Sequence, residues 1–394
     1  MKLRTIILCL LASLGLSSMA DNQLLEGFEY GNASSPTGKE WQSPEQLSYN
    51  KLQPRANFAS FATVEEARKF LPENSSYRMS LDGEWKFHFS KNPDERPVDF
   101  YKTSYSTQNW DNIKVPGSWN MQGVQKDGSL KYGVPIYVNQ WVIFKYNIAV
   151  DDWRLGVMRE PPKNYTTYKY RNEVGSYKRT FTIPNHWDGR EVFVSFDGVD
   201  SFFYLWINGQ YVGFSKNSRD AARFDISPYV HAGKNDIAVE VYRSSDGSFL
   251  EAQDMFRLPG IFRSVAVYAT PKVHIQNLVV KPTFKNGKGA LNIVTTVENL
   301  NKKAAKNYNI SYQLYENKLF GDENKLVSTM LASQSMNLKS GSCMSVNNDF
   351  EFNNIKPWTP EEPNVYVLVA VLKDKKNKVA EVVSVQTGFR TVEI

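Results

Sequence analysis

Two stretches carry the residue types that could do chemistry. The first, SFLEAQDMFRLPGIFR (248–263), sets Glu251 and Asp254 among three phenylalanines and a Leu-Pro-Gly turn, with Arg257 and Arg263 nearby. Neither a helical nor a strand period runs through it, so it reads as a loop, yet loops are normally polar. The second, GVPIYVNQWVIF (133–144), surrounds a single amide, Asn139, with Pro135, Tyr137 and Trp141. Aromatic faces cover the C–H surfaces of a sugar while amides and carboxylates bind its hydroxyls directionally, so both stretches have the make-up of a carbohydrate site. The bland alternative pairs Asp254 with Arg257 or Arg263 to brace a loop and uses Asn139 to brace a turn. On residue types alone, bracing has the stronger claim.

Other chemistries find little support. His88, His186, His231 and His274 lie far apart with no metal-ligand spacing. There is no Gly-x-Ser-x-Gly elbow, phosphate loop or dinucleotide fingerprint, and Cys343 has no base near it in sequence. Asn172-Glu173 could form an Asn-Glu acid, but RNEVGSYKRTF reads better as a turn entering an outer strand. The lysines of KNGKG (285–289) and KDKKNK (373–378) read as solvated hairpin turns, which argues against a nucleic-acid partner.

The elements that must position these residues are strands. Of the 394 residues, 13% are aromatic, which suits sheets. Residues 1–20 pair a basic end (Lys2, Arg4) with a short apolar run and a small-residue cleavage site, the pattern of a secretory signal peptide and not of a membrane span. A periplasmic or secreted product is therefore expected. Cleavage would remove Cys9 and leave Cys343 alone, so no internal disulfide is expected, and loss of Lys2 and Arg4 lowers the formal charge from +6 to +4.

Residues 21–75 read as an extended arm with a helical patch near Thr63 to Phe70. Period-two runs at 80–89, 176–183, 190–199, 201–207, 211–215 and 235–242, with an Asn208-Gly209 hairpin, predict a jelly-roll β-sandwich over 76–271. Seven further candidate strands predict an immunoglobulin-like sandwich over 272–394. The fold class expected is all-β. The chain stops at TGFRTVEI, a strand-like end uncommon for a complete protein.

Ordered segments carry a resemblance: LDGEWKF (81–87), VPGSWNMQG (115–123), VPIYVN (134–139), the long block 192–265, PWTPEEPNVY (357–366) and QTGFRTVEI (386–394). With them the sequence resembles the β-galactosidases of glycoside hydrolase family 2, which hydrolyse terminal β-galactosides with retention. KYNIAVDDWRLGVMREPPKNYTTYKYR (145–171) looks like an insertion relative to that family. The resemblance implies a sugar-binding jelly roll, an immunoglobulin-like domain, and a catalytic TIM barrel that would follow Ile394. It implies substrate contacts for Asn139 and Asp254, and a sodium ion at Asp254, with magnesium used by full-length members. No catalytic residue maps onto this chain, because the acid/base and nucleophile of retaining glycosidases lie about 5–5.5 Å apart on barrel strand ends.

The expectation is thus an N-terminal part of such an enzyme, inactive alone, with the apolar side chains of 248–263 buried against the barrel. Arg257 and Arg263 then read as structural partners. The expected partner is a β-galactoside or oligosaccharide, and a separately encoded barrel chain would be the partner in the docking-subunit reading. A stand-alone lectin-like protein and a docking subunit are the competing readings.

Overall fold

The computed structural model describes residues 36–38, 40–136, 172–252, 254–317, 325–331 and 335–393. Residues 1–20, Asn139 and the 145–171 segment lie outside them. Every strand pair between named strands is antiparallel among the described residues.

The first sandwich packs a seven-stranded sheet on a four-stranded one. The larger sheet runs, edge to edge, Ser48–Tyr49, Gln210–Ser215, Phe202–Ile207, Gly233–Tyr242, Val174–Ile183, Gly83–Ser90 and Asp111–Val115. Ala222–Asp225, Glu191–Phe196, Val265–Thr270 and Arg78–Ser80 make the smaller. Trp85, Phe87, Tyr177, Phe196, Phe203 and Leu205 fill the space between. This is the jelly-roll sandwich that the alternation in the sequence implied. Asn208 and Gly209 both take positive φ, 50° and 79°, as a tight two-residue hairpin requires.

Two details depart from the sequence reading. Val174–Ile183 is an interior strand, flanked by Gly233–Tyr242 and Gly83–Ser90, and not an outer one. Phe202–Ile207 is buried along its whole length instead of alternating. The cause is a second layer: Trp41 and Phe100 cover Phe202, Tyr204 and Trp206 on the outer face, so both faces of this strand are dry.

The second sandwich sets Val273–Lys285, Lys288–Asn299 and Ser342–Phe352 against a sheet of Leu326–Leu331, Ala305–Asn317, Val365–Lys373 and Val379–Thr387. Alternating buried positions such as Leu291, Ile293 and Val297 build its core. The 285–289 turn is a hairpin with Asn286 and Gly287 at φ 53° and 77°.

The described part of the arm touches both sandwiches. Ser48–Tyr49 adds to the first large sheet, and Ser60–Phe61 pairs with Val382 and Val383 at the edge of the second. Between Phe61 and the first sandwich, Val64–Arg68 forms a short helix whose N-cap Thr63 accepts a hydrogen bond from the Glu66 N–H.

Candidate substrate-facing loop

The 248–263 stretch is one turn of helix, Ser248–Glu251, an irregular tip, and a two-residue strand, Gly260–Ile261. Its second half is fastened from within the chain. Gly260 and Ile261 pair with Asp200 and Val199, while the Gly117 and Trp119 N–H groups donate to the carbonyls of Ile261 and Pro259 at 2.8 and 3.3 Å. Phe262 packs on Gly198, where an added Cβ would stand 2.7 Å from the ring, and takes the guanidinium groups of Arg219 and Arg263 at 4.8 and 5.2 Å. Pro259 is buried and Leu258 half-buried. Pro259 is thus covered within the chain itself, while Leu258 and Phe262 are covered in part.

The first half is different. Phe249, Leu250 and Phe256 are 41, 79 and 57% exposed, and Leu47 beside them is 65% exposed. Phe249, Leu250 and Leu47, together with Pro44, line an apolar depression of about 530 Å³. Asp254 stands on the same tip, also exposed. It does not pair with Arg257 or Arg263, whose guanidinium groups donate to the Ala252 carbonyl, and to those of Arg219 and Asp197, respectively. Both arginines brace backbone, as expected, but Asp254 is no part of that bracing.

Glu251, the other acid of the stretch, is a clamp. Its carboxylate accepts from the Ser218 N–H at 2.9 Å and the Ser218 hydroxyl at 2.5 Å, tying the helical turn to the strand end behind it. Behind the loop, the Arg257 N–H donates to the Ile136 carbonyl at 3.2 Å and Arg243 Nη2 to the Val134 carbonyl at 2.8 Å. The stretch leading to Asn139 is thus laid along the loop that bears Asp254. Asn139 itself lies outside the described residues.

The Asn172-Glu173 pair is structural. Glu173 Oε1 meets Arg243 Nη1 at 2.6 Å with both side chains buried, and Asn172 exchanges two hydrogen bonds with the Ser244 backbone. Burial raises the Glu173 pKa, opposed by the Arg243 charge.

Sequence reasoning missed Asp200. It lies inside GVDSFF, in the two-residue strand that pairs with Gly260 and Ile261, with Arg219 Nη2 at 3.3 Å. Burial pushes its pKa up to about 6, against the pull of Arg219. An aspartate between two apolar strands was the available signal. Asp200, Arg219, Arg243 and Glu251 surround a cavity of about 20 Å³, room for a water and not for a sugar ring.

No group of three or more His, Cys, Asp or Glu side chains placed to hold a metal occurs among the described residues. Glu251 is committed to Ser218 and Asp200 to Arg219, so for a sodium ion the loop offers the Asp254 carboxylate. A hard cation needs several oxygen ligands, of which this loop supplies one carboxylate.

Residues 78–271 match the family model described as glycosyl hydrolases family 2, sugar binding domain, and residues 273–390 match that of glycosyl hydrolases family 2. A β-galactosidase of Priestia megaterium is 37% identical over 358 residues, which are 90% of this chain and 32% of that protein. The β-galactosidase large subunit of Lactobacillus helveticus is 31% identical over 363 residues, 89% of this chain and 52% of that subunit. The chain thus spans about a third to a half of the length of these curated relatives. Among solved structures, a Bacteroides uniformis β-glucuronidase superposes with a TM-score of 0.60 at 18% identity, over 79% of this chain and 32% of that one. At that identity the likeness is one of fold.

Proposed function

Because the chain belongs to glycoside hydrolase family 2, we propose that it supplies the substrate-facing wall of a β-galactosidase and contacts the sugar through Asp254 and Asn139. The observation that carries this reading is the first half of the loop: an exposed carboxylate in the same short stretch as exposed Phe249, Leu250 and Phe256. Apolar side chains so exposed mark a surface made to be covered. A carboxylate at its edge is suited to accept hydroxyl hydrogen bonds once that cover excludes water.

Bond cleavage by retention needs an acid/base and a nucleophile on facing carboxyl groups. Among the described residues Glu173 is buried against Arg243 and half-buried Glu251 is tied to Ser218, so neither acid of these two stretches is free to react. In this reading the reacting carboxylates stand on a barrel packed over the loop, in the same polypeptide or in a partner chain. The large-subunit name of the Lactobacillus helveticus relative favours keeping both arrangements. Sodium at Asp254, magnesium elsewhere in the assembled enzyme, and export directed by residues 1–20 belong to the same proposal.

The test is turnover of a chromogenic β-galactoside. The 394-residue chain alone should give none. Hydrolysis by this chain that disappears in Asp254→Ala would sink the proposal, since the reacting groups would then have to lie within it. Galactose or lactose binding should be weak, because affinity comes from concave burial that one wall does not provide. Sub-millimolar binding would support a stand-alone lectin instead.

A further inference from the structure

A second cavity, of about 570 Å³, opens on the outer face of the seven-stranded sheet and shares no lining residue with the cavity under the loop. Its size falls within the roughly 300–1,000 Å³ usual for small-molecule sites. Arg96, Tyr101, Trp206, Gln210, Tyr211 and Glu240 are among its lining residues.

Glu240 is the telling group. It is 3% exposed, and its Oε1 takes both of the hydrogen bonds that hold it, from Arg96 Nε at 3.1 Å and from the Tyr242 hydroxyl at 2.9 Å. Its Oε2 receives no hydrogen bond from a described residue. Arg96 donates through Nε and through Nη1, the latter to the Pro93 carbonyl at 2.7 Å, and Nη2 has no acceptor among the described residues. An acceptor and a donor therefore stand on the cavity wall, each with hydrogen-bonding capacity that no described residue takes up.

The rings beside them are fixed. Tyr101 stacks on Trp206 with centroids 5.2 Å apart and planes 10° apart, and Tyr211 stacks on Tyr49 at 5.9 Å and 7°. The amide of Gln210 stands exposed on the hairpin at the rim. Paired charges of opposite sign give no net attraction for an ion. Adjacent acceptor and donor match neighbouring hydroxyls, and ring surface matches the C–H face of a pyranose.

We propose that this cavity is a second saccharide site, taking one uncharged pyranose ring, separate from the loop that bears Asp254. It rests on the cavity's own groups and stands whether or not the loop serves a galactosidase. Such a site would hold a polymeric substrate by a sugar other than the one being cleaved.

The experiment titrates the full chain with glucose, galactose, mannose and xylose, followed by ligand-observed NMR and calorimetry. At least one sugar should bind with a Kd of about 1–10 mM, a modest affinity for a single open site. Asp254→Ala should leave that Kd unchanged. Gln210→Trp, which fills the cavity from an exposed turn, should weaken binding at least about tenfold, and Thr37→Trp on the same rim should do so independently. Failure of all four sugars to bind at about 10 mM, survival of binding in both tryptophan variants, or its loss in Asp254→Ala would each overturn the proposal.

Discussion

Glu173 and Asp254 are both acids in polar-aromatic surroundings, and the sequence gives no simple rule to separate them. Their neighbours do. Glu173 is wholly buried against Arg243, and Gly133 is a glycine because a Cβ there would sit 2.8 Å from the Glu173 carboxylate. A charge taken out of water with one good partner is held by that partner, so removing it leaves the other charge stranded. Glu173→Gln should destabilise the chain by roughly 3–5 kcal/mol in urea unfolding. The double variant Glu173→Gln with Arg243→Met should recover a large part of that loss. A loss below about 1 kcal/mol for the single variant would contradict the buried-pair reading. Asp254, exposed and outside any such pair, carries no comparable structural burden, which leaves it available for a ligand.

Elements show where periodicity misleads. Phe202–Ile207 was expected to show one wet face, and the second aromatic layer removes it. That layer is held partly by the arm, whose edge pairing depends on a close backbone approach. An ideal Cβ on Gly213 would stand 2.2 Å from the Tyr49 carbonyl oxygen, so only glycine lets Ser48–Tyr49 lie against its partner strand. Gly213→Ala should cost roughly 1–3 kcal/mol, the range for forcing atoms into filled space. Limited proteolysis should then cut first near Tyr49, and an unchanged cleavage pattern would argue that the arm is not held there. The hairpins at 208–209 and 286–287, by contrast, were legible from residue type, because positive φ at two successive positions selects Asn-Gly.

At the scale of the whole molecule, the arm pairs with both sandwiches, and one buried acid of the second feels charges outside it. Glu381, 2% exposed, accepts the Ile275 N–H at 2.6 Å, with Arg55 of the arm and Arg190 of the first sandwich close enough to act on its charge. Burial nonetheless pushes its pKa up to about 7 from the usual 4.5. The folded state then holds a proton that the unfolded state has released. Its contribution to stability is therefore greatest below pH 4.5 and falls as pH rises towards about 7. Glu381→Gln should remove that slope, so the variant should gain on the parent by roughly 2–4 kcal/mol between acid and neutral pH. Parallel stability curves for the two proteins would show that Glu381 does not titrate in this window.

The sequence by itself determined the strand content, both sandwiches, the asparagine–glycine hairpins and the family, because alternation, turn chemistry and ordered motifs are local properties of a chain. It also picked out the loop at 248–263, whose composition is wrong for a solvated turn. Tertiary structure alone decided which half of that loop is fastened and which carries the exposed apolar side chains, that Glu173 is a buried counter-ion, and that Glu240 faces a cavity. Each of those depends on which distant residue arrives alongside: Arg243 for Glu173, Gly198 for Phe262, Arg96 for Glu240. Burial and pairing are relations between segments far apart in sequence, and no local pattern encodes them.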